Sequence, residues 1–145
     1  MSASGKKRDT LANIRDTGQF VLNLPGTYLV DKVIPTGRCS SPEVDEFEVA
    51  GLEEKPSVLV KAPGIAGCYE WMECELHKEY EEEEYVLIVG KVVRLEVSDD
   101  VLGSDGSIDI AKAKPLMLAA SKKGYTFSTL FSIDRFEPFY AMRRS

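Results

Sequence analysis

Residues 69–80, YEWMECELHKEY, and residues 85–97, YVLIVGKVVRLEV, are two long strand-like runs separated only by four glutamates. In the first run Met72, Cys74 and Leu76 alternate with Tyr69, Trp71, Glu73, Glu75 and His77, the period-two pattern of a half-buried strand. The acidic stretch 81–84 reads as a solvated hairpin tip, since like charges in a row repel and favour water. Gly90 falls in the middle of the second run, where a glycine predicts a bulge or a sharp bend of the kind barrels use at corners. A long bent strand beside another long strand therefore points to a mainly β fold closing toward a barrel.

Upstream, residues 5–18 (GKKRDTLANIRDTG) form a basic loop running directly into a helix start. Lys6, Lys7 and Arg8 bring positive charge, Asp9 or Thr10 can cap the first turn, and the free N–H groups there point outward. That combination favours an anion, and a phosphate fits it best. Leu11 and Ile14 give the helix one apolar face, Arg15 complements its C-terminal end, and Gly18 can take the left-handed closing position. Residues 19–24 then read as a strand ended by Pro25-Gly26, and residues 28–34 have helical spacing up to Pro35. A loop over 38–46 overlaps a short helix within 45–52 that opens on an acidic cap and ends at Gly51. The apolar run 57–62, bounded by Pro56 and Pro63, has the length and borders of a strand.

Downstream, residues 99–110 read as an acidic, glycine-rich loop with a turn at Asp105-Gly106, and Pro115 interrupts any helix across 108–118. The acidic residues there lack the spacing and closing Glu of a calcium loop. Aromatic residues gather at 124–132 and 136–140, a density suited to covering a sheet edge, a subunit contact or a flat ring.

At 145 residues the chain is expected to be one domain over 1–145. A net charge of −6 argues against nucleic-acid binding, which calls for a basic face. No apolar run is long enough to cross a bilayer and no signal peptide is evident, so a cytoplasmic protein without membrane association is expected. Cys39, Cys68 and Cys74 lack a Cys-x-x-Cys pair and read as reduced core thiols; with the single His77 they offer no metal set. Neither a Gly-x-Ser-x-Gly elbow, a His-Glu-x-x-His helix nor a dinucleotide fingerprint is found, so no catalytic residue is assigned.

Six short motifs follow in order: Lys7-Arg8-Asp9-Thr10-x-x-Asn13-Ile14, Phe20-Val21-x-Asn23, Val33-x-x-Thr36-Gly37, Asp45-Glu46-Phe47-Glu48-x-Ala50-Gly51-Leu52, Pro56-Ser57-x-x-Val60-Lys61-x-Pro63 and Glu73-Cys74-x-Leu76. Together they resemble the flavin reductase-like, FMN-binding split-barrel family, including its flavoredoxin branch. The resemblance implies a mainly β fold with short helices (α+β), a Greek-key split barrel, a homodimer and one FMN per subunit. It further implies either an NAD(P)H-dependent flavin reductase or a flavoredoxin-like carrier fed by a protein partner. A non-catalytic FMN-binding or dimerisation fragment without turnover is the alternative reading. Carried onto this chain, the family's phosphate-binding stretch falls on Lys6, Lys7, Arg8 and Thr10, with Arg38 and Tyr125 as further flavin contacts. Family members carry more strands before this motif, so the chain reads as N-terminally truncated.

Overall fold

The computed structural model describes residues 9–37, 44–83, 85–122 and 124–130. Helix α1 (Asp9–Thr17) buries Ile14 and part of Leu11, the apolar face its spacing predicts. Gly18 closes it at φ +66°, donating its N–H to the Ile14 carbonyl at 2.8 Å. Strand β1 (Gln19–Leu24) follows at once. A 3-10 turn (Thr27–Leu29) leads into α2 (Val30–Thr36), which runs past Pro35 because a proline in the last turn removes only one helical bond. Helix α3 (Glu46–Ala50) is begun by Asp45, whose carboxylate accepts from the Phe47 N–H at 2.8 Å, and ended by Gly51 at φ +60°.

α3 buries only Ala50 and leaves Val49 exposed, so its cap carries an unusual share of its stability. Asp45→Ala should cost about 1 kcal/mol, read as a lower urea midpoint at unchanged slope. An unmoved midpoint would mean that packing alone holds this helix.

The central sheet has the order β1-β4-β5, antiparallel throughout, with β4 as Glu70–Glu81 and β5 as Val86–Val97. The tip between them closes where expected, the Glu82 N–H donating to the Tyr85 carbonyl at 2.9 Å. Two short pairs complete the described strands: β2 (Glu54–Lys55) with β3 (Gly64–Ile65), and β6 (Leu116–Ser121) with β7 (Gly124–Thr129). The segment 108–118 resolves into α4 (Ile110–Ala113), capped by the Asp109 carboxylate, and the start of β6 beyond Pro115.

Two sequence expectations are corrected. Residues 57–62 form no strand; the chain bends there because the N–H groups of Val58, Leu59 and Val60 converge on the Glu73 carboxylate at 2.9, 2.6 and 3.2 Å. Burial on β4 also departs from simple alternation. The face bearing Trp71 and Glu73 is covered by the segment between β2 and β3, whereas Met72 and Leu76 are only half-buried. Next to those two, Leu22, Val92 and Leu95 stand about half exposed while Cys74 between them is buried, so this apolar sheet face is only partly covered by the described residues.

Bending of the hairpin comes from register shifts. His77 on β4 and Val93 on β5 are left without a partner, and each extra residue twists the ladder locally. Gly90 lies opposite Leu76, beside the His77 bulge, and serves a different need: a Cβ there would run into the ring of Phe20 on β1. One small core packs Leu29, Cys68 and Trp71 with Val21, Val33 and Ile65. A second packs Tyr69, Val101 and Ala113 with Leu24, Val97 and Ile108. Cys68 and Cys74 are buried free thiols, as expected, while Cys39 lies outside the described residues.

Candidate functional site

Of the six residues assigned to flavin binding, Lys6, Lys7, Arg8 and Arg38 lie outside the described residues. Thr10 sits exposed in the first turn of α1, where the chain's leading N–H groups have no helical acceptor. Tyr125 lies on β7 and is 72% exposed. No hydrogen bond or ring contact among the described residues joins these two.

What the structure does fix is the helix behind Thr10. Arg15 makes a two-pronged contact with Glu79, Nε to Oε2 at 2.9 Å and Nη2 to Oε1 at 2.8 Å, and reaches Glu81 at 3.0 Å. Hydrogen bonding to Glu79, followed by the charges of both glutamates, outweighs desolvation and raises the Arg15 pKa, so the guanidinium stays charged. At the helix end the Gly18 carbonyl accepts from the Leu76 N–H at 2.8 Å. The side-chain fork and the backbone bond both attach α1 to β4 and fix its axis.

Beneath the sheet's covered face lies a second polar assembly. Glu73, 2% exposed, accepts the three loop N–H groups and a bond from Arg94 at 3.2 Å. Arg94 also holds Glu96, which pairs with Lys55 at 2.9 Å, and the Lys55 ammonium stands 4.6 Å from the centre of the Trp71 ring. Asn23 accepts from the Ile65 N–H, Gln19 from the Lys61 N–H, and the Trp71 indole donates to the Ile65 carbonyl. Each of these groups has a partner within the chain, so the assembly fastens the covering segment. Residues 53–67 are thereby a fixed wall.

A cavity of about 580 Å³ opens on another side, between the 3-10 turn, α2, α4 and the β6-β7 pair. Val30, Leu116, Phe127 and Leu130 give it an apolar body, and Lys114 lines it as well. Sequence reasoning missed it because its described walls come from three separated segments. The one local signal was a lysine, rather than a glycine, immediately before Pro115 at a helix end.

Comparison with known proteins adds the following. The profile of the family described as flavin reductase like domain matches residues 1–126. An uncharacterized protein of Methanothermobacter thermautotrophicus is 57% identical over 145 residues, covering 97% of this chain and 68% of its own length. Flavoredoxin from Methanosarcina acetivorans superposes with a TM-score of 0.79 at 25% identity, over 90% of this chain and 68% of that one. A putative flavin reductase with split barrel domain from Shewanella frigidimarina gives a TM-score of 0.73 at 19% identity, over 90% of this chain and 66% of that one. The chain spans between 56% and 73% of the length of its first four curated relatives. No described helix is long and apolar enough to cross a membrane.

Proposed function

Because this chain belongs to the flavin reductase-like domain family, with a mainly β split-barrel fold carrying short helices, we propose that it binds FMN through residues 6–10 and the first turn of α1. The observation that carries this reading is the arrangement of α1. Arg15 and Gly18 fasten its later turns to β4, so the direction of its N-terminal end is set, and the matched family region includes the basic residues leading into it. A helix N-terminus with an exposed hydroxyl residue, Thr10, in its first turn fits a phosphate dianion. In this reading Thr10 and the first N–H groups donate to the phosphate, while Lys6, Lys7 and Arg8 supply charge-assisted bonds. Arg38 and Tyr125 complete the proposed set.

FMN held there would supply the redox chemistry, with NAD(P)H or a protein as the proposed electron donor. The chain's own residues bind and orient it. No side chain is assigned to proton transfer. The protein is further proposed to work as a homodimer whose contact covers the exposed part of the apolar face at Leu22, Val92 and Leu95, since exposed sheet faces of this kind mark association surfaces. Light scattering on the full chain should give twice the chain mass; a monomer at micromolar concentration overturns that part.

FMN and riboflavin share a ring and differ in the phosphate, so they separate the phosphate grip from the rest. Arg8→Ala with Thr10→Ala should weaken FMN binding by about tenfold, or ~1.4 kcal/mol, and leave riboflavin nearly unchanged. Quenching of flavin fluorescence reads both. Equal losses for the two ligands would put the phosphate elsewhere; no loss for either would make the basic stretch a solvated arm.

A further inference from the structure

The cavity beside Lys114 is left unused by the phosphate grip, and its chemistry is specific. Its volume, about 580 Å³, lies within the range of pockets that take small organic ligands. Val30, Leu116, Phe127 and Leu130 would face an apolar body. Among the described residues lining it there is no carboxylate, in a chain of net charge −6, and Lys114 is the only charged one of them. No acidic partner is recorded for Lys114 among the described residues.

Backbone geometry at the same residue supplies an independent pointer. Lys114 ends α4 at φ +46° and ψ +57°, a left-handed conformation that glycine adopts freely and other residues adopt under strain. It is the only non-glycine residue at positive φ among the described residues. Its carbonyl is held by the Thr27 N–H at 2.9 Å and by the hydroxyls of Thr27 and Thr129, each at 3.3 Å, so the conformation is imposed from several sides. A glycine would satisfy that backbone better. Left-handed strain at a residue that also lines the cavity is the kind of outlier that points to a role in binding.

We propose that this cavity binds a small organic carboxylate with a flat or branched apolar body, the body against Leu116 and Phe127 and the carboxylate against Lys114. The described lining shares no residue with the set proposed for FMN, and the proposal does not depend on that assignment.

Benzoate and its neutral analogue benzamide are the probes, titrated into the isotope-labelled full chain and followed by amide shifts in NMR. Benzoate should shift Ala111, Leu116, Phe127 and Leu130, and bind about fivefold or more tighter than benzamide, the difference a partly exposed charge pair provides. Lys114→Gly should abolish that preference without lowering the melting temperature, because glycine relieves the left-handed strain. Ala111→Trp, at an exposed cavity-lining position, should block both probes. Binding of benzoate should persist when FMN is saturating. Shifts located elsewhere, equal affinity for the two probes, a preference surviving Lys114→Gly, or displacement by FMN would each overturn the proposal. Because the readout is cavity shifts and not flavin binding, a failure of the FMN assignment leaves this result standing.

Discussion

Glu73→Gln is expected to lower the unfolding free energy by about 3 kcal/mol and the melting temperature by roughly 10 °C. The carboxylate is 2% exposed and is the common acceptor for Val58, Leu59 and Val60. An amide offers one acceptor oxygen and turns an NH2 group toward donors, so at least one loop N–H loses its partner and Arg94 loses a neutralising charge. The effect stays at the lower end of the range for breaking a buried ion pair because Arg94 is 29% exposed and keeps Glu96. Glu75→Gln, two residues away and exposed, is the control and should change stability by less than about 0.5 kcal/mol. If both substitutions behave alike, the loop is held by packing.

The same residue sets an acid limit. Burial pushes the Glu73 carboxyl up, but the three N–H groups and the Arg94 charge together outweigh it and leave its pKa below the ordinary 4.5. Glu96 is held below 4.5 too, by hydrogen bonds from Lys55 and then Arg94. A carboxylate depressed on folding contributes stability that is complete above the unfolded value and disappears as pH falls through the folded one. The gap between wild type and Glu73→Gln should therefore be constant above about pH 5 and shrink below pH 4.5. A gap that widens in acid contradicts the assignment of charge.

Gly90→Val should cost about 2–3 kcal/mol, against the ordinary preference of strands for β-branched residues. A Cβ at position 90 would overlap the Phe20 ring at Cζ, meet Cε1 at 3.0 Å and lie 3.3 Å from the Cys74 Cβ. The ring must move, and it is pinned across the register in which Phe20 faces Cys74. Phe20→Leu should recover part of the loss when combined with Gly90→Val, although alone it removes buried surface. A denaturation cycle over the four proteins reads this coupling, expected at about 1 kcal/mol or more in the favourable sense. Strict additivity would show that Gly90 is there for the bulge and not for the ring.

Local signals were legible where the residue itself dictates backbone geometry. Gly18 and Gly51 closed helices at positive φ, Asp45 capped one, and the acidic tip turned the hairpin, because each needs only its near neighbours. Residues 57–62 defeated the same reading: an apolar run between prolines has strand composition, but its conformation is decided by a carboxylate on β4. On β4 itself alternation identified the two faces correctly and said nothing of which one would be covered, since a charged face can be buried if every charge is paired. The candidate site divides likewise. A basic run entering a helix is visible in sequence, and the fork from Arg15 to Glu79 that aims the helix is not.

The order of strands in the central sheet also bears on how the chain reaches this structure. β4 and β5 are neighbours in sequence and can zip from their turn, whereas β1 finds β4 only after both helices α2 and α3 and the covering segment have been spanned. Closing so long a loop is entropically costly before any contact compensates for it, so the hairpin should be formed in the rate-limiting step and β1 should dock afterwards. Substitutions in the hairpin turn would then slow folding, while those at Phe20 would chiefly accelerate unfolding. Helix α1, tethered to β4 through β1 and Arg15, would be oriented only at the end, making the proposed phosphate grip among the last features the nascent protein acquires.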